Sequence, residues 1–215
     1  MPLRVVTAAA IFDGHDVAIG IFRRILQSQG CEVIHLGHDR GADEVARAAI
    51  QEDAHAIAIT SYQGGAVEMF THTKQILDEA DFGHVFLFGG GGGTILPNEI
   101  KHLDESGIAR IYSPDDGREL GLVGMVQDAM QRASKAELLD SARFESLSGP
   151  VTADDHGAVS RLLTLAENGE EDVFSAALER VRSLSLIHIS EPTRPERIWG
   201  AGVGGEKKKG GGGGG

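Results

Sequence analysis

Along residues 3–134 the apolar positions switch repeatedly between two rhythms. Short, nearly unbroken apolar runs at residues 3–8, 31–36, 54–60, 84–88 and 109–112 have the length of strands covered on both faces. Between them the apolar residues recur three and four apart, as on one face of a helix. Residues 17–29 carry Ala18, Ile21, Phe22, Ile25 and Leu26 in this way, and residues 42–52 carry Val45, Ala48 and Ala49. A third helix is predicted over residues 66–80, a fourth opens at Pro97 and runs through Ile100 and Leu103, and a fifth covers residues 117–133 with Leu122, Val123, Val126 and Met130 inward. Gly30 after the first helix and Pro97 at the start of the fourth fit the backbone demands of helix ends. Five strand–helix units without a hairpin signal predict an α/β fold, a doubly wound five-stranded parallel sheet of flavodoxin-like (Rossmann-like) order 2-1-3-4-5.

In that order the first and third strands lie side by side at the topological switch point, where open α/β sheets bind ligands outside the carboxyl ends of their strands. Three unusual loops meet at that edge: Asp13-Gly14-His15-Asp16, Ser61-Tyr62-Gln63-Gly64-Gly65 and the five glycines at 89–93. A carboxylate two residues before a histidine can fix the imidazole tautomer and leave the other ring nitrogen free to coordinate a metal, although a helix-capping Asp beside a solvated His reads equally well from these residues alone. The glycine run lacks the Gly-Lys-Ser/Thr of a nucleotide-triphosphate loop. Its backbone entropy cost points instead to a large flat ligand part passing close to the main chain.

Composition narrows the partners. A formal charge of -12 argues against nucleic acid and anionic membranes, which need a basic face. The single Cys31 leaves no internal disulfide and no cysteine metal cluster, and it reads as a core thiol. No apolar run approaches the roughly 20 residues of a membrane span. The amino terminus leads straight into Asp13 and reads as a strand rather than a signal peptide, so a cytoplasmic protein is expected.

Residues 1–134 form the expected compact domain, and the polar residues 135–155 read as a linker. Residues 156–183 hold two short helical patterns, one with Val159, Leu162, Leu163 and Leu165 and one with Val173, Phe174, Ala177, Leu178 and Val181, too little for a core of their own and readable as the start of a following region. Residues 184–194, Leu-Ser-Leu-Ile-His-Ile-Ser-Glu-Pro-Thr-Arg, resemble the in-frame translation of a transposase-type sequencing adapter, and the lysine and glycine runs after them resemble homopolymer read-through. Residues 184–215 are therefore expected to be an artefact without ordered structure, and the chain a truncated fragment.

With Asp13-x-His15, Ser61 and Gly92-Gly93 assigned to one sheet edge, the chain resembles the cobalamin-binding domain of adenosylcobalamin-dependent acyl-CoA mutases and of methionine synthase, whose pattern is Asp-x-His-x-x-Gly, then Ser-x-Leu, then Gly-Gly. Ala18 stands where the first motif has its second glycine, and Gln63 where the second has leucine. Phe-Asp-Gly-His-Asp, Arg-Arg-Ile-Leu-Gln-Ser-Gln-Gly and Ser-Tyr-Gln-Gly-Gly look most like the fused isobutyryl-CoA mutase subfamily, in which this domain precedes a GTPase chaperone domain and a mutase barrel. The resemblance implies adenosylcobalamin bound base-off, with His15 as the axial ligand of cobalt and Asp13 orienting it. Gly14 and Asp16 complete that loop, Ser61 would meet the displaced base, and Gly92 and Gly93 would make room for the nucleotide tail. The implied parent is a homodimeric isomerase of the isobutyryl-CoA/n-butyryl-CoA type, and the fragment itself carries no catalytic residue. A stand-alone cobalamin carrier or sensor is the alternative. A phosphoryl receiver of the same fold would need an acceptor Asp after the third strand and a Lys after the fifth, where Ser61 and Asp115-Asp116 stand.

Overall fold

The computed structural model describes residues 1–135, 151–152, 154–168, 175 and 179–180; the suspected adapter segment, almost all of the expected linker and most of the second helical pattern lie outside the described residues. The chain alternates β1 (Arg4–Ala10), α1 (Asp16–Ser28), β2 (Glu32–Arg40), α2 (Ala42–Gln51), β3 (Ala56–Thr60), α3 (Ala66–Glu79), β4 (Phe86–Gly90), α4 (Pro97–Glu105), β5 (Arg110–Ile111) and α5 (Pro114–Ala133), and a further helix α6 covers His156–Asn168. All paired strands are parallel and their order is 2-1-3-4-5, as the alternation predicts.

Side chains leave a strand alternately to its two faces, so each strand feeds two cores. Val6, Ala8, Ile57, Ile59 and Leu87 face the α2–α3–α4 layer with Phe70, Leu77 and Leu103. Val5, Ala9, Ala56, Ala58 and Phe88 face the α1–α5 layer with Ile19, Leu26, Met125 and Val126. On this second face β3 presents Ala56, Ala58 and Thr60, too small to fill the space under α1 and α5. The small residues leave room for a cavity.

Four departures from the sequence reading have local causes. Gly89 and Gly90 belong to β4 rather than to a loop: Gly89 pairs with Ile59 and Ile111, and Gly90 with Thr60. A Cβ at Gly89 would lie 2.0 Å from the Ile59 carbonyl oxygen and 2.7 Å from Phe70, so close approach of strand and helix demands glycine. β2 runs on to Arg40 through an irregular register with β1, where Gly37 takes φ 86°. Helix α5 starts at Pro114 because Ser113 and Asp116 cap it reciprocally, Asp116 Oδ2 accepting from both the Ser113 N–H and its hydroxyl at 2.7 Å.

The same helix breaks at Gly121 (φ 65°, ψ 172°), which shifts its phase, so that Leu122 and Val123, expected inward, are 46% and 47% exposed. On α1 the fully buried residues are Ile19 and Leu26, while Ile21 is largely exposed. Helix α6 packs back on α2. Ser160 donates to the Ile50 carbonyl at 2.6 Å, Arg4 donates to Thr164 Oγ1 at 3.0 Å, and the buried Arg161 guanidinium bonds the Asp81 carboxylate and carbonyl while lying 4.3 Å over the Phe82 ring.

Candidate cofactor site

The loop after β1 turns tightly, the Asp13 N–H donating to the Ala10 carbonyl at 3.0 Å, and this turn sends the Asp13 side chain into the protein, where it is fully buried. Its Oδ1 accepts the His15 backbone N–H at 2.9 Å and lies 2.7 Å from His15 Nδ1. Its Oδ2 accepts the Tyr62 N–H at 2.7 Å, so one carboxylate braces the β1 loop against the β3 loop. Burial alone would raise the Asp13 carboxyl; the N–H groups of Tyr62 and His15 and the His15 ring outweigh it and hold it below the ordinary carboxylate value. An ionised carboxylate can only accept, so Nδ1 carries a ring proton, and in the neutral imidazole that leaves the lone pair on Nε2. The His15 side chain is 62% exposed, with its ring 5.1 Å from that of Tyr62. Asp16 is the first residue of α1, and a Cβ at Gly14 would meet nothing within 4 Å.

Beside this loop, between the sheet and the α1–α5 layer, lies a mostly apolar cavity of about 210 Å³. Its walls include Ile19 and Phe22 from α1, Thr60 and Tyr62 from the β3 edge, Phe88 and glycines 89–92, and Tyr112 and Leu122. A cavity of about 150 Å³ holds a benzene ring, so this one has room for a bicyclic aromatic. Thr60 stands on its wall, and the Thr60 Oγ1 is buried with no hydrogen-bond partner. Tyr112 is fixed by its hydroxyl donating to Asp128 at 2.6 Å, and burial together with that carboxylate pushes the phenol well up and keeps it neutral.

The sequence-predicted residues are thus brought to one edge, with distinctions. Ser61 is buried, its hydroxyl donates to the Gln63 carbonyl at 3.4 Å, and it does not line the cavity; its neighbours Thr60 and Tyr62 do. Thr60 escaped the sequence reading because it looked like the last residue of a strand. Strand parity could have found it, since Ala56, Ala58 and Thr60 alternate onto the α1–α5 face. Gly92 lines the cavity at φ 59° and Gly93 takes φ 108° just outside it. A Cβ at Gly92 would lie 2.6 Å from the Tyr62 ring, and one at Gly91 would lie 2.1 Å from the Ser61 carbonyl oxygen. The glycine run therefore lets the β4 loop lie directly on the β3 loop as well as opening the cavity. Among the described residues no group of three or more His, Cys, Asp or Glu could hold a bare metal ion.

Fold and site together define an α/β domain with an imidazole and an apolar slot side by side at the carboxyl edge of its sheet. The chain belongs to the B12-binding domain family, whose profile, "B12 binding domain", matches residues 3–118. The fused isobutyryl-CoA mutase of Cupriavidus metallidurans is 52% identical over 171 residues, covering 79% of this chain and 15% of that protein. The protein of the same name from Geobacillus kaustophilus is 46% identical over 190 residues, 85% of this chain and 17% of that one. The chain thus spans about a sixth of the length of these relatives. The 2-hydroxyisobutanoyl-CoA mutase small subunit of Aquincola tertiaricarbonis is 33% identical over 98 residues, 46% of this chain and 70% of that subunit. A cobalamin-binding protein from Desulfitobacterium hafniense shares the fold at TM-score 0.51 and 17% identity, over 61% of this chain and 59% of that one. No helix among the described residues is long and apolar enough to cross a membrane.

Proposed function

We propose that this chain binds adenosylcobalamin base-off, with His15 Nε2 as the lower axial ligand of cobalt, as the cofactor module of an acyl-CoA mutase of the isobutyryl-CoA type. The observation that carries this is the lone imidazole: Asp13 fixes its proton on Nδ1 and leaves Nε2 free, and a single ligand suffices for a metal whose equatorial ligands come with a macrocycle. The cavity supports the same reading, because its volume suits the displaced benzimidazole and Thr60, whose hydroxyl lacks a partner, stands on its wall. Ser61, the next residue, is the one that the family resemblance sets against the displaced base. Gly92 clears the approach to the slot, and Gly93 and Asp16 complete the loop and helix start at its mouth.

Adenosylcobalamin supplies a cobalt–carbon bond whose homolysis begins radical rearrangement of a short branched acyl-CoA. The chain's own part is to bind and to orient: Asp13 holds His15, Tyr62 flanks its ring, and the cavity excludes water from the base. The identity with fused mutases supports service to a mutase; a GTPase chaperone domain and a homodimeric parent are what the family resemblance implies. The test is titration with hydroxocobalamin followed by spin resonance of the reduced cobalt. Protein carrying heavy-nitrogen histidine should alter the nitrogen splitting, and His15→Ala should abolish that change and weaken binding. Unchanged splitting on labelling would show that histidine is not the ligand.

A further inference from the structure

Among the described residues, four non-glycine residues take a left-handed backbone: Phe12 (φ 64°), Asp39 (φ 57°), Asp53 (φ 46°) and Asp81 (φ 61°). Three are aspartates, which tolerate that region because the short polar side chain bonds locally. Phe12 has no such excuse, and a bulky residue there is an outlier. The conformation itself is needed, since it lets the Phe12 N–H donate to Asp39 Oδ1 at 2.8 Å while the next residue turns inward to hold His15. Glycine would meet that need without strain. The Phe12 side chain is not repaid by burial either, because the residue is 81% exposed, the most exposed of the large hydrophobic residues described. A strained backbone and a solvated aromatic ring, three residues before His15, have no compensation within the folded chain.

We infer that the Phe12 ring is a cofactor contact, packing on the apolar body of the corrin held at His15, and that the backbone strain is retained for the sake of that contact. The inference rests on the cobalamin reading above and assigns a residue that neither Asp13 nor His15 chemistry accounts for. It predicts opposite signs for two measurements on one variant. Phe12→Gly relieves the left-handed strain, so the cofactor-free full chain should melt about 2 to 4 °C higher. The same variant loses the ring, so hydroxocobalamin should bind roughly tenfold more weakly, the scale of partly burying a phenylalanine.

Phe12→Ala separates ring from flexibility, because it keeps the strain and adds no glycine freedom; it should show the same loss of affinity without the gain in melting temperature. Phe12→Leu should recover most of the affinity. An unaltered affinity in Phe12→Gly and Phe12→Ala overturns the inference, and so does a fall in melting temperature in Phe12→Gly, which would mean that the ring packs on the protein. Failure of the unmodified chain to bind hydroxocobalamin at all would instead overturn the cofactor reading on which the inference rests.

Discussion

Replacing Asp13 by Asn keeps the shape of the side chain and removes one of its two acceptor atoms, at a point where three donors converge. The His15 N–H and Nδ1 both address Oδ1, at 2.9 and 2.7 Å, and the Tyr62 N–H addresses Oδ2 at 2.7 Å. A carboxamide can be placed in two ways. With its oxygen toward His15, its NH₂ faces the Tyr62 N–H and leaves a buried donor unsatisfied, at about 1–3 kcal/mol. With its oxygen toward Tyr62, the NH₂ faces His15, Nδ1 must accept, and the ring proton moves to Nε2, the nitrogen that would ligate. The first placement costs stability; the second costs ligation and also leaves the His15 N–H without its acceptor. The apo chain should therefore melt lower, by about 2–4 °C per kcal/mol, and hydroxocobalamin should bind about 10 to 100-fold more weakly.

The Asp13 carboxyl lies below its ordinary value in the folded chain, so its contribution to stability is present above about pH 3.8 and fades as pH falls through the folded value. The stability gap between the chain and Asp13→Asn should close in that acid window. The assay is a double-mutant cycle, with visible-spectrum titration for affinity and thermal melts for stability. In the His15→Ala background the affinity penalty of Asp13→Asn should vanish, while a stability penalty persists because Tyr62 still needs its acceptor. An affinity penalty of equal size with and without the imidazole would refute the brace as a support for ligation and leave Asp13 a loop residue.

Thr60→Val removes an unpaired buried hydroxyl, so the apo chain should gain roughly 1 kcal/mol in denaturant unfolding while cobalamin binding weakens about three- to tenfold; a stability loss would mean the hydroxyl already has a partner. Gly89→Ala drives a Cβ into the Ile59 carbonyl and should cost at least about 3 kcal/mol, seen as a collapse of the melting temperature or of soluble yield. Arg161→Met breaks the hydrogen bonds to Asp81 and should cost roughly 1.5–3 kcal/mol, with α6 becoming the first point of cleavage in limited proteolysis; an unchanged digestion pattern would show that other contacts hold the helix.

Much of the fold is legible in the sequence because buried parallel strands write themselves as short apolar runs, and order 2-1-3-4-5 follows from five such runs alternating with helices. Where legibility failed, the side chain carried no pattern or the backbone reset it. Gly89 and Gly90 have nothing to alternate, and only the nearness of Ile59 and Phe70 makes them strand residues. Leu122 and Val123 continue a helical period that Gly121 interrupts. The docking of α6 hid behind polar letters, since Ser160, Arg161 and Thr164 read as a solvated face yet are buried by bonding to Ile50, Asp81 and Arg4. At the site, Asp13 and His15 were visible as spacing. The second anchor of Asp13 on Tyr62, 49 residues away, was not, because backbone N–H groups leave no trace in the letters.

That second anchor bears on the kinetics of ligand capture. With backbone and ring of His15 both tied to one oxygen, and the other oxygen tied to the neighbouring strand end, the imidazole is aimed before any ligand arrives. The entropy of ordering that side chain, about 0.5–1.5 kcal/mol for an immobilised rotamer, is incurred during folding and is absent from the association step. If His15 ligates cobalt as proposed, an incoming metal centre would meet a fixed target, so encounter need not wait on a rotamer search, and the tethers on Asp13 would resist the ring swinging aside as it leaves.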